Sequence, residues 1–173
     1  MYENNFPTRR YNLTLDFVKK HISKDEEILD LGVENPLSDL LKSNGFNVTN
    51  TKGEDLDLDS SSVQKSSANV VTAFEIFEHL LSPFVVLKEM KAKKLIASVP
   101  LKLWFSSAYR SKTDIRDRHF HEFEDWQFDW LLEKSGWTIV SKKKWTNPTK
   151  KLGIRPILRY FTPRYYIIYA ERK

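Results

Sequence analysis

Two carboxylates and an imidazole lie within five residues in the segment Glu75-Ile76-Phe77-Glu78-His79, and His119 and His121 flank a phenylalanine farther on. Such groups move protons: imidazole titrates near neutrality, and burial pushes a carboxyl group up toward it. A base of this kind matters when a hydroxyl or a protonated amine must lose a proton to become a nucleophile. His119 and His121 are the first candidates for that base, with His79 and Glu78 behind them. The competing role for any of these histidines is to cap a helix or cover an aromatic ring. His119-x-His121 would also set two imidazoles on one side of a strand, as some metal sites do. Four histidines, no cysteine and no acid triad at matching spacing argue against a metal centre. There is no Gly-x-Ser-x-Gly elbow and no phosphate-cradling loop, and five glycines leave little material for either.

The elements around Glu75 explain why it would be presented to a ligand. Val70 to Phe74 is a short apolar run, as expected of a strand buried on both faces. Ser82-Pro83 reads as an N-cap and first helical residue. Val86, Leu87 and Met90 then form an apolar stripe, with Lys91, Lys93 and Lys94 at the C-terminal end. A second apolar run, Leu95 to Val99, ends at Pro100. Strand, helix, strand predicts a βαβ crossover with parallel strands. Ligands of such sheets bind beyond the carboxyl ends of the strands, where Glu75, Glu78 and His79 fall.

The order Phe-Glu-Ile-Phe-Glu-His-Leu, Ser-Pro, amphipathic helix and Ser-Val-Pro resembles the fourth and fifth strands of class I S-adenosylmethionine-dependent methyltransferases, most of all their small-molecule branch. The resemblance runs from about Glu26 to Glu171. It implies an α/β, Rossmann-like methyltransferase fold with a mostly parallel central sheet of about six or seven strands, an antiparallel edge strand and helices on both faces. It also implies one domain over 1–173, in which 1–24 forms a helical cover and 101–122 a lid or acceptor loop. The cofactor implied is S-adenosylmethionine, held by Asp30, Gly32, Val33, Glu34, Asn50, Thr51, Asp55, Leu56, Phe74, Glu75 and His79.

Departures from the family pattern sharpen these expectations. The family's acid-x-Gly-x-Gly-x-Gly loop here reads Asp30-Leu31-Gly32-Val33-Glu34-Asn35-Pro36, with only the first glycine retained. Asn35-Pro36 still caps and starts a helix over 37–44, closed by Gly45. Glu34 is expected either to pair with the ammonium of the cofactor or to repel its carboxylate. Repulsion at 4 Å would cost about 4 kcal/mol at a surface-like dielectric. The second strand, 46–51, ends in Asn50-Thr51 where the family has an acid on the ribose, so its grip there is neutral. Asp55 takes the position that accepts from the adenine amine, within the acidic run Glu54 to Asp59. Between Thr51 and Asn69 there is room for only a very short strand and a short helix beginning at Ser60-Ser61-Ser62.

The remaining segments follow from periodicity. Tyr11 to Ile22 is an amphipathic helix carrying Leu15, Val18 and Ile22. The segment 101–122 is long for a plain connection and rich in aromatics, as lids and binding loops are. Glu124 to Lys134 is a helix with Trp126, Trp130 and Leu131 on one face, stopped at Ser135-Gly136. Strands at 137–141 and 165–170 enclose a basic loop with Pro148, Pro156 and Pro163.

At 173 residues, 40% apolar and 13% aromatic, the chain is long enough for one domain with a real core and is not disordered. No stretch is apolar enough to span a bilayer, and Met-Tyr-Glu-Asn-Asn does not read as a signal peptide. With no cysteine to form disulfides, a cytoplasmic enzyme is the expectation. Residues 1–100 hold 12 basic and 15 acidic side chains, whereas 101–173 hold 16 and 8. This asymmetry suits an anionic partner, such as a small-molecule or glycan acceptor, and equally a solvated basic face, which is the plainer reading of the basic tail. Trp145, Tyr160 and Phe161, interleaved with Lys and Arg, also suit nucleic acid, though an edge strand and its loop look alike. Two alternatives therefore stand beside a methyltransferase: a non-catalytic binding or assembly protein of the same fold, and a nucleic-acid-binding module. No feature specifies an oligomeric state.

Overall fold

The computed structural model describes residues 7–149 and 151–172. In chain order the elements are α1 (Thr8–His21), β1 (Glu27–Asp30), α2 (Pro36–Ser43), β2 (Asn47–Asn50), α3 (Ser61–Lys65), β3 (Val70–Phe74), a 3-10 turn (Phe77–His79), α4 (Pro83–Glu89), β4 (Lys94–Pro100), α5 (Asp125–Lys134), β5 (Thr138–Thr146), α6 (Ile154–Phe161) and β6 (Pro163–Glu171). The strands form one sheet in the order β2-β1-β3-β4-β6-β5. β1 to β4 are mutually parallel, with Asp30 beside Asn50 and Thr72, and Phe74 beside Ser98. β6 runs antiparallel between β4 and β5. β6 and β5 thus form the antiparallel part of the sheet at its edge, as expected, with β5 outermost.

The pleat sends alternate residues of each strand to opposite faces. Leu29, Val71, Leu95 and Ala97 pack with Val63 of α3, Val86 and Leu87 of α4, and Phe128 and Leu132 of α5. Ile28, Val48, Val70 and Ile96 pack with Leu15 and Val18 of α1 and Leu41 of α2. Helices therefore cover both faces. No described helix is long and apolar enough to cross a membrane.

Several local expectations change. Asn35 caps α2 as expected, accepting from the N–H groups of Leu37 (2.9 Å) and Ser38 (3.2 Å). Ser82 makes no capping hydrogen bond. Its N–H and that of Leu81 instead donate to the Asp57 carboxylate, at 2.8 and 2.7 Å. α5 is rotated from the face expected: Phe128 and Leu132, at i and i+4, are buried, while Trp126 and Trp130 are exposed. Large rings gave that stripe a false phase. Among the described residues no strand forms between β2 and β3. The basic segment expected to be a loop contains α6, whose Pro156 sits in the first turn, where its missing N–H costs nothing.

Trp137 locks one end of the sheet. It is buried, and its Nε1–H donates to Leu87 O at 3.1 Å. The Arg172 guanidinium lies 4.3 Å from the ring centroid and donates to Met90 O, Leu87 O and Ser135 O at 2.5, 2.6 and 3.0 Å. Trp137→Ala should lose about 3–5 kcal/mol of stability in urea unfolding, whereas Trp137→Phe, which keeps an aromatic ring, should lose only about 1–2.

Candidate functional site

The carboxyl ends of β1, β3 and β4 open onto two cavities of about 430 and 530 Å³. They share Gly32, Ile76 and His79, so they form two lobes of one cleft. The larger lobe is bounded by Thr51, Gly53, Asp55, Leu56, Ile115 and Phe120. The other contains Asp30, Val33, Phe74, Glu75, Glu78, Ser98, Tyr109, His119, Arg10 and Arg164. Gly32 has φ +104°, and a Cβ there would reach only Ile76 Cδ1, at 3.5 Å. The floor between the lobes is therefore open backbone, as close approach of a ligand requires.

Most of the sequence-predicted residues converge on this cleft. Glu34 does not. It borders neither lobe, and its exposed carboxylate pairs with Lys42 on α2, which holds its pKa below the usual range. The cause is local: Gly32 turns the chain, and the Asn35 cap directs the intervening residues toward α2 rather than back over the strands. Asn50 also stays outside the lobes, donating to Asp30 Oδ2 at 3.1 Å. His121 lies outside as well, stacked on Phe123 with Nε2 3.3 Å from Leu81 O. It covers an aromatic ring. Arg10, Ser98, Tyr109 and Arg164 join the site without a signal in the sequence, because α1, β4, the segment 101–122 and the returning strand β6 bring them in from distant parts of the chain.

Glu75 is held in a costly conformation. Its φ of 57° makes it the one non-glycine residue with positive φ among those described. Its N–H donates to Ser98 O at 3.0 Å, and its carboxylate accepts from Ser98 Oγ at 2.9 Å and faces Arg10 Nη1 at 3.4 Å. Burial raises its pKa against the pull of Arg10. Glu78 is 1% exposed, and burial and then the charge of Glu75 raise its pKa well above the ordinary value. Its Oε2 has no hydrogen-bond partner.

The segment 101–122 folds down on this turn. Phe120 N–H and His121 N–H donate to Glu78 O at 2.8 and 3.2 Å, and His79 Nδ1 lies 2.9 Å from Arg118 O. A carbonyl only accepts, so His79 carries a proton on Nδ1. His119 meets His79 edge to face, 4.7 Å between centroids. Burial, with the charges of His79 and Arg164, lowers its pKa to about 4, so His119 is neutral at pH 7. Glu78, His79 and His119 each offer a ligand atom within 4.8 Å of the others, a grouping not anticipated from the His-x-His pair.

No protein-family model matches the sequence, and no curated protein is significantly similar to it. Solved structures do match. An S-adenosylmethionine-dependent methyltransferase from Methanosarcina mazei superposes with a TM-score of 0.66 at 15% identity, over 90% of this chain and 96% of the other. Magnesium protoporphyrin IX methyltransferase from Synechocystis, with bound S-adenosylmethionine, gives 0.61 at 13%, over 95% and 79%. The fold is that of the class I methyltransferases. The [4+2]-cyclase SpnF also shares it, with a TM-score of 0.60 at 12% identity over 98% and 84% of the two chains.

Within that fold, Asp30 is a buried tie at the strand ends. Its Oδ1 accepts from Thr72 Oγ1 at 2.6 Å and its Oδ2 from Asn50, and Thr51 Oγ1 accepts from Gly32 N–H at 2.8 Å. Burial pushes the Asp30 pKa up to about 6. The native state then binds this proton more tightly than the unfolded chain does. Its contribution to stability is present below about pH 4 and is lost as pH rises to about 6, a change of about 3 kcal/mol. Urea unfolding from pH 4 to 7 should show the stability of wild type relative to Asp30→Asn falling across that window and level above it.

Proposed function

We propose that this protein transfers a methyl group from S-adenosylmethionine to a small-molecule or glycan acceptor in the cytoplasm, working as one domain under a lid formed by 101–122. The observation that carries this reading is the cleft itself. Two lobes meet over Gly32 at the carboxyl ends of parallel strands, in a fold whose solved examples include methyltransferases.

The residues fit the cofactor. Gly32 leaves backbone open in the floor, Leu56, Ile115 and Phe120 supply apolar surface in one lobe, and Thr51 and Asp55 supply polar groups at its rim. These would hold the adenosine end, with Asp30, Val33, Phe74 and Glu75 toward the other lobe. When bound, the sulfonium supplies an already activated methyl group, so positioning of the acceptor is the main task left to the protein. Arg10 and Arg164 suit an anionic acceptor. His119, neutral at pH 7, can accept a hydrogen bond from an acceptor hydroxyl and orient it.

A binding protein without transfer activity is the second reading. It is favoured by the neutral Asn50 and Thr51 at the ribose position, both already bonded to the β1 loop. Calorimetry with S-adenosylhomocysteine separates the two. The first reading expects saturable binding that Gly32→Val weakens by about a hundredfold or more, because valine is strained at positive φ and fills the floor. Glu34→Gly should leave affinity within about twofold, since Glu34 faces Lys42. No binding to the folded wild type would remove the methyltransferase reading.

A further inference from the structure

We infer that Glu78, His79 and His119 form a binding site for a divalent first-row transition metal ion in the lobe of the cleft assigned to the acceptor. The three ligand atoms lie within 4.8 Å of one another. Two of these residues also carry a buried atom with no hydrogen-bond partner, Oε2 of Glu78 and Nδ1 of His119. Native structures rarely leave buried polar atoms unpaired, and two at one point suggest a shared partner.

The third ligand is already prepared. The Nδ1–H of His79 is directed at Arg118 O, 2.9 Å away, leaving Nε2 as the free lone pair, 3.8 Å from Glu78 Oε1. Metal-bound histidines nearly always donate their other N–H to such an acceptor, which fixes tautomer and ring angle. Zinc bonds of about 2.0–2.2 Å put ligand atoms closer together than these separations. An ion would therefore draw the side chains inward by rotamer adjustments, with the backbone carbonyl of Glu78 already held by Phe120 and His121.

Two imidazoles and one carboxylate favour zinc, iron, cobalt or manganese over magnesium and calcium, and leave coordination positions open. The lobe is open to the cleft, so an acceptor oxygen can fill one. This role, which rests on the proposed methyl transfer, makes the acceptor a hydroxyl compound.

The test uses chelator-stripped protein without an added histidine tag, titrated with Co2+ and followed by visible absorption. One-to-one binding is expected, with Zn2+ displacing the cobalt and Mg2+ and Ca2+ failing to. Glu78→Gln and, separately, His119→Ala should each weaken binding at least tenfold, with circular dichroism verifying that each variant is folded. No binding of Co2+ or Zn2+ by the wild type would overturn the site, as would unchanged affinity in both folded variants. S-adenosylhomocysteine is titrated into the same stripped protein. Metal binding without S-adenosylhomocysteine binding would uphold the site and defeat the methyltransferase reading. The reverse result would do the opposite.

Discussion

The cleft depends on how the ends of three parallel strands are held together. Asp30 on β1 accepts hydrogen bonds from Thr72 on β3 and Asn50 on β2, so one carboxyl group ties β1 to both of its neighbours. Beyond this point β1 leaves its pairing with β2 and β3, while β3 stays paired with β4 as far as Phe74 and Ser98, and the cleft opens at these strand ends. The Gly32 N–H, bonded to Thr51 Oγ1, ties the β1 loop to the end of β2, and Val33 and Asn35 beyond it line the cleft. Asp30, which the resemblance assigns to the cofactor, is thus also a structural tie.

The second constraint is the concentration of acid in a confined space. Glu75 and Glu78 share the lobe with Arg10 and Arg164, and Glu75 accepts a strained backbone to reach Ser98 and Arg10. Strain of this kind persists only where surrounding contacts enforce it. Here the enforcing groups come from α1, β4 and β6, elements that meet only in the folded chain. The segment 101–122 then holds the turn through backbone hydrogen bonds to Glu78 and a carbonyl on His79. The same sheet scaffold in SpnF carries a cyclase, so the chemistry resides in such side chains and not in the fold.

The sequence by itself determined the parallel core. Apolar runs at 28–31, 70–74 and 95–99, separated by capped or proline-started helices, leave one economical arrangement, and the strands pair accordingly. Gly32 and the Asn35-Pro36 helix start were legible too, because positive φ and capping are local properties of residue type. Glu75 and His79 could be assigned to the cleft because they follow a strand end directly.

Tertiary structure alone decided the rest, since it turns on contacts between distant segments. Whether Glu34 faces a ligand or Lys42 depends on the path into α2. The buried face of α5 was set by the shape of the β4–β6 surface, which accepts Phe128 and Leu132 and leaves both tryptophans outside. His119 and His121 look equivalent in sequence and would share one side of a strand, but the chain bends at Phe120, where the N–H groups of Phe120 and His121 both donate to Glu78 O, and the two rings part. One meets His79 in the cleft and the other stacks on Phe123. The grouping of Glu78, His79 and His119 joins positions forty residues apart. No periodicity records that contact, because it exists only where the segment 101–122 packs on the 3-10 turn.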